Sequence, residues 1–167
     1  YRGGEALRFG ESLGDGFAVG LSGTLEGVDD HVVAGVAVLA REVLRVFRVE
    51  QRKVDLAGDD ESKLPAFNLQ LHAMLPVMRG QIPLKAHAHQ ADDLFTALRI
   101  AHEFGVKITL EHVTEGHLIV DELAQENVPL AVGPTLGHAS KFELQNKSWI
   151  TPGALAKAGC HVSIITD

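Results

Sequence analysis

Three strand-like runs in the second half of the chain each end in a potential metal ligand. The ligands are His87, His112 and Asp167, in chain order. In parallel α/β folds, functional groups collect at the carboxyl ends of strands, because the loops that follow form the open face of the sheet or barrel. Imidazole and carboxylate groups suit zinc, iron and manganese, and a catalytic site leaves one coordination position open. The pattern therefore predicts a catalytic metal site.

Other polar side chains stand near the same strand ends and are candidates for substrate contacts or for support of the ligands. They are His89, Glu115, His117 and His138. Side chains alternate across a strand, so Lys85, His87 and His89 share one side. His89 is therefore also a candidate ligand. The same alternation places His112 with Ile108 and Leu110 and predicts that Glu111 faces away from the mouth, with support of the metal ligands as the alternative. The alternative for each residue is a hydrogen-bonded structural role.

The elements that position these residues alternate between strands and helices. Apolar patterning and turn residues predict strands at 84–88, 106–111, 129–132 and 162–166. Helices are predicted at 91–104, at 116–126 and after Thr151 as N-cap, and an earlier helix begins at His31. Pro76 should kink or divide a helix over 68–79, and residues 53–63 have the composition of an exposed linker. Strands that alternate with helices indicate an α/β fold with a parallel sheet.

Bulk properties narrow the class of protein. The chain has 167 residues, whereas a complete eight-stranded α/β barrel needs about 250, so these units would make only part of one. The net charge is −7, and the sequence has no cluster of basic residues, which argues against nucleic-acid partners. One cysteine fits a reducing compartment, and no apolar run is long enough to span a bilayer. We expect a cytoplasmic protein without membrane contact, and the start at Tyr1 suggests a piece of a longer chain.

The motifs His87-Ala-His89, Glu111-His112 and Ile164-Ile-Thr-Asp167 resemble the carboxyl-terminal part of the catalytic barrel of the amidohydrolase superfamily, in its imidazolonepropionase-like branch. The resemblance extends from about residue 68 to residue 167. It implies a partial TIM (β/α)8-type barrel, roughly strands 4 to 8, with outer helices. Residues 1–66 would form an irregular early βα unit and a linker, and residues 67–167 regular βα units. The first strands and the β-sandwich of the family would be missing.

The resemblance also implies a function. His87, His112 and Asp167 would hold a divalent metal. Zinc is the first candidate, with iron or manganese as alternatives. Glu11 is the candidate for the carboxylate that an earlier strand supplies in this family. A metal-activated hydroxide would attack the C–N bond of an amide, cyclic amide or amidine, and Asp167 would take the proton and return it to the leaving nitrogen. The fragment by itself is expected to be inactive or nearly so.

Two other interpretations are compatible with the sequence. A non-catalytic half-barrel could self-associate or act as a binding module, with the histidines in structural roles. A different TIM-barrel hydrolase or lyase could use histidine and aspartate without a metal. For the hydrolase we expect a small-molecule substrate and a homo-oligomer.

Overall fold

The computed structural model describes residues 17–20, 30–137 and 141–166, with side chains from Ala40 onward. Within these residues the chain forms one parallel sheet of five strands in the order β1-β2-β3-β4-β5. The strands are β1 (Phe17–Gly20), β2 (Leu84–Ala88), β3 (Ile108–His112), β4 (Leu130–Val132) and β5 (Val162–Ile164). Because all the pairings are parallel, the carboxyl ends of the strands lie along one edge. The predicted α/β fold with parallel strands is confirmed.

Six α-helices connect the strands in the described part of the chain. They are α1 (Asp30–Ala57), α2 (Leu69–Ala73), α3 (Leu75–Met78), α4 (Ala91–Phe104), α5 (Val120–Glu126) and α6 (Thr151–Lys157). Short 3-10 turns stand at Glu61–Lys63, Gly116–Leu118 and Phe142–Leu144. Helix α4 has the predicted bounds and ends at Gly105, whose φ of +61° allows its N–H to cap the carbonyls of Ala101 and His102. Among the described helices, none has the length and apolar character needed to cross a bilayer.

The segment before β2 differs from the prediction at one point and agrees at another. Helix α1 continues to Ala57, whereas an exposed linker was expected from residue 53. The side chain of Ala57 is buried, and Asp55 bonds both Gln51 and Arg79, so packing and polar contacts extend the helix. The predicted division at Pro76 is confirmed, because α2 ends before Met74 and Pro76 lies in the first turn of α3.

The core lies between the sheet and helices α1 and α4. Strands β2 and β3 both bury every second residue, and the buried residues include Leu84, Ala86 and Leu110. Helix α4 contacts both strands and buries a stripe at helical spacing that includes Leu94 and Leu98. The small alanines of β2 allow α4 to approach the sheet closely. The opposite side of β2, with Lys85 and His87, is only partly buried.

Arg48 joins three helices through carbonyl groups that have no partner within their own helices. From α1 its guanidinium donates to the carbonyl of Phe104, the last residue of α4. It also donates to the carbonyl of Met78 at the end of α3, at 3.4 Å, and to Gln51 Oε1 at 2.7 Å. A positive charge at two helix carboxyl ends also interacts favourably with the helix dipoles.

We predict that Arg48→Met lowers the free energy of unfolding by about 1–3 kcal/mol, because the variant leaves charge-assisted hydrogen bonds unmade at two helix ends. Urea denaturation followed by far-UV circular dichroism measures the change. Arg52→Met, on the exposed side of the same helix, is the matched control, with an expected change within about 0.5 kcal/mol. Equal effects of the two substitutions would contradict the role of Arg48.

Candidate metal centre

Strand β2 carries two histidines to the carboxyl edge of the sheet. His87 is the fourth residue of the strand, and His89 follows the strand directly. Their side chains share a side because one residue separates them. His89 is buried and His87 is partly buried. The two Nε2 atoms lie 3.1 Å apart, so both rings point their outer nitrogens at one place.

The third histidine, His112, reaches this place through a break in strand geometry. The register pairs Ala88 with His112 and His87 with Glu111, so a regular pleat would put His112 on the α4 side of the sheet. His112 and Val113 instead have φ values of +70° and +49°. The left-handed backbone ends the alternation, and the His112 ring lies with its centroid 4.1 Å from that of His87.

This geometry corrects the predicted faces of β3. Ile108 and Leu110 are buried on the α4 side and do not share a side with the His112 ring. Glu111, expected to face away from the mouth, lies on the His87 side, where its Oε1 is 3.6 Å from Lys85 Nζ. The prediction failed because it continued the period-two pattern through a residue that leaves the extended region.

The three imidazoles can hold one metal ion. A ligand nitrogen from each of His87, His89 and His112 lies within 4.8 Å of the others. The ring centroid of His89 is 4.9 Å from that of His87 and 4.7 Å from that of His112. Three imidazole ligands with a fourth position open is a donor set used by catalytic zinc sites. This is the one such group among the residues that the structure describes.

Hydrogen bonds at the inner ring nitrogens orient two of the three rings. His112 Nδ1 lies 2.7 Å from the carbonyl oxygen of Gly133, which can only accept, so Nδ1 donates to it and Nε2 is the ring nitrogen left to bind a metal. His89 Nδ1 lies 2.7 Å from Thr114 Oγ1, which can accept in the same way. Metal-binding histidines are commonly oriented by such bonds. The residues present therefore fit a divalent metal.

Gly133 is suited to its position because no larger residue fits there. Its φ is +141°, and an added Cβ would lie 2.2 Å from the carbonyl oxygen of Ile165. The Gly133 N–H donates to the His112 carbonyl at 3.2 Å. The close approach of the chain after β4 to β3 and β5 thus sets the acceptor that orients the His112 ring.

Glu115 lies at the site but joins loops instead of lining an open mouth. It is buried, and its Oε2 accepts from the Ala91 N–H at the start of α4 at 2.8 Å. Its Oε1 accepts from Asn146 Nδ2 at 2.8 Å. The carboxylate therefore ties together the connections that follow β2, β3 and β4. Both oxygens are used within the protein, and the expected role of Glu115 as a substrate contact or a support for the ligands stays a prediction.

His117 also makes a contact between loops. Its Nδ1 lies 2.9 Å from Thr151 Oγ1, and that hydroxyl donates to the Ser148 carbonyl at 3.0 Å. Thr151 is fully buried and is the first residue of α6, whereas the sequence predicted it as the N-cap. Its hydroxyl is used between loops, and the cap position falls to Ile150.

Three of the predicted site residues, Glu11, His138 and Asp167, lie outside the described residues. Their roles as metal ligands, as the proton-transfer group or as a substrate contact stay predictions. Of the residues that are described, the structure brings His87 and His112 together and adds His89 to them.

Sequence reasoning missed Glu143, Thr114 and Asp93. Glu143 Oε1 lies 3.7 Å from His89 Nε2, and Thr114 bonds the same ring at its other nitrogen. Thr114 could have been suggested by its place two residues after His112. Glu143 gave no signal, because it lies in an irregular loop far from His89 in the sequence.

Asp93, in the first turn of α4, is half-buried near the carboxylates of Glu143 and Glu115. Its pKa is raised to about 6, mainly by burial, with further contributions from the negative charges of Asp92, Glu143 and Glu115. Because the folded pKa lies above the ordinary value of 3.8, the folded chain holds this proton more tightly than the unfolded chain. The resulting stability is present at low pH and is lost as the pH rises through about 6.

We predict that Asp93→Asn stabilises the metal-free protein relative to the parent at pH 7.5 but has a smaller effect at pH 4.5. The amide keeps the shape of the side chain and removes the charge that burial disfavours above the folded pKa. Urea denaturation of both proteins in the presence of a chelator, at several pH values between these limits, measures the difference. A difference in stability that is the same at both ends of the range would contradict the prediction.

Comparison with known proteins bears on this site and on the fold. The sequence matches no protein-family model and no curated protein. A solved structure, an amidohydrolase from Thermotoga maritima MSB8, is similar with a TM-score of 0.77 and 29% sequence identity. The match covers 90% of this chain and 41% of the solved chain, so the chain spans less than half the length of that protein. The α/β fold with its parallel strands therefore matches part of an amidohydrolase barrel, as the sequence predicted.

Proposed function

We propose that this chain is part of the barrel of a metal-dependent hydrolase that cleaves a C–N bond in an amide, cyclic amide or amidine. The observation that carries the proposal is the convergence of His87, His89 and His112 at the carboxyl edge of a parallel sheet. The similarity to an amidohydrolase supports a hydrolase in particular. Three neutral imidazoles favour zinc, with iron and manganese as alternatives.

The described residues of the site have two different roles in this proposal. His87, His89 and His112 would bind the metal, which supplies Lewis-acid chemistry by polarising a carbonyl group and lowering the pKa of water. Glu115 and His117 would hold the surrounding loops in place through their bonds to Asn146 and Thr151.

Three residues outside the described part complete the proposal. Asp167, which follows β5 in the sequence, would accept a proton and deliver it to the leaving nitrogen. Glu11 would be a further ligand, and His138, in the β4–α6 connection, a contact for a small-molecule substrate. Because the chain spans 41% of the similar structure, activity is expected from a longer protein.

We predict that the purified chain binds zinc and that His112→Ala loses it. Removing one of three imidazole donors should weaken binding by more than the roughly 10- to 100-fold that the loss of a supporting residue typically costs. Elemental analysis and competition with a chelating dye measure this. His161→Ala is the matched control, since His161 is exposed and does not belong to the cluster.

The same experiment can contradict the proposed metal site. If zinc binds equally to the parent and to His112→Ala, or to neither, the centre proposed here is wrong. Unfolding would not be mistaken for this result, because the circular dichroism spectrum of each variant is compared with that of the parent.

A second candidate is a non-catalytic half-barrel that self-associates. It is favoured by β5, which lies at the edge of the described sheet with Ser163 and Ile164 exposed. Exposed edge strands are templates for pairing with another chain. Light scattering would show a concentration-dependent dimer that Ile164→Lys disrupts, and a monomer at all concentrations would contradict this candidate.

A further inference from the structure

The connection between β4 and α6 brings a carboxylate to the histidine cluster. Its 3-10 turn, Phe142–Leu144, places Glu143 Oε1 3.7 Å from His89 Nε2. The Glu143 side chain is only 19% exposed, whereas the neighbouring Phe142 is 75% exposed. The loop therefore turns the charged residue inward and the aromatic residue outward, which is the reverse of what solvation alone would favour.

The buried oxygen of Glu143 has unused bonding capacity. Among the residues that the structure describes, Glu143 Oε1 accepts no hydrogen bond. Lys141 Nζ lies 3.6 Å from it, but this lysine is about half exposed, so solvent screens the ion pair. Burying a carboxylate without hydrogen bonds is costly, and such a group is retained where a further charge completes the site.

A metal at the histidine cluster would supply that charge. Three neutral imidazoles bind a divalent cation without reducing its charge, and a buried net charge of two is unfavourable unless a negative group lies nearby. The other carboxylate in contact with these loops, Glu115, already uses both oxygens in hydrogen bonds. Among the residues that the structure describes, Glu143 is a carboxylate close to His89 whose buried oxygen is left to compensate the cation.

The loop that carries Glu143 is fixed at a second point. Asn146 lies three residues later and donates to Glu115 Oε1 at 2.8 Å, and Glu115 in turn binds the first N–H of α4. The attachment of the β4–α6 loop therefore depends on Glu115, whose own N–H donates to the His89 carbonyl at 2.9 Å. A change of charge at the cluster acts on the loop directly through Glu143. The bond from Asn146 to Glu115 holds the loop in place a few residues later.

We propose that Glu143 is the charge-compensating residue of the metal centre, and that its attraction to the bound cation holds the turn Phe142–Leu144 against His89. Metal occupancy and loop order are then coupled. This inference rests on the proposed metal site at His87, His89 and His112, and it assigns Glu143 an electrostatic role that is separate from ligation by the imidazoles.

The test compares zinc affinity in four proteins by competition with a chelating dye. Glu143→Gln should weaken zinc binding by about 10- to 100-fold, the range found for residues that support metal ligands. Glu143→Asp keeps the charge and should recover part of the affinity. Lys141→Met is the matched control from the same loop and should bind zinc at least as tightly as the parent, since it removes a competing positive charge. The melting temperature of metal-free Glu143→Gln should be at or above that of the parent, because the variant removes a buried charge that accepts no hydrogen bond.

Hydrogen exchange provides a readout of the loop. Zinc should slow exchange of the amides in residues 141–150 of the parent, and this protection should be smaller in Glu143→Gln at zinc saturation. If Glu143→Gln binds zinc as tightly as the parent while His112→Ala loses it, the role of Glu143 is overturned and the metal site stands. If the parent and His112→Ala both fail to bind, the metal site and the inference fall together.

Discussion

The left-handed backbone at His112 and Val113 is the constraint on which the histidine cluster depends. Such conformations cost about 1–3 kcal/mol for residues other than glycine, and more is expected of a β-branched valine. Val113 is fully buried, and its N–H donates to the Ala88 carbonyl at 3.1 Å. The bond from His112 to the Gly133 carbonyl adds to this. Packing and hydrogen bonds offset the strain, and so the His112 ring stays on the side where His87 and His89 lie.

The loops at the carboxyl edge are held by one another. Glu115 joins the connections that follow β2, β3 and β4, and the Thr151 hydroxyl joins the start of α6 to His117. Because each of these bonds crosses from one loop to another, a movement of the segment at Glu115 and His117 would break contacts to its neighbours. Irregular segments thereby acquire the rigidity that keeps ligand nitrogens within bonding distance of a common point.

The negative charge around the centre comes from carboxylates that lie near the three histidines. Glu143 approaches His89, and burial together with nearby carboxylates keeps the pKa of Asp93 raised. Carboxylates held close to one another reduce the stability of the metal-free chain and favour a divalent cation in the same space. A part of the fold that is locally unfavourable by itself is thus suited to bind a positive ligand.

The sequence by itself determined the parallel α/β fold, the bounds of β2 and α4, and two of the three histidines that cluster, because alternation, helical spacing and glycine caps are local properties. The tertiary structure decided which face His112 takes, that Glu111 lies beside Lys85, and that Glu143 reaches His89. These depend on positive φ angles and on contacts between residues distant in sequence. Periodicity describes the average direction of side chains along an element. It contains no information about the point where a strand leaves its regular geometry or about the loop that packs against it.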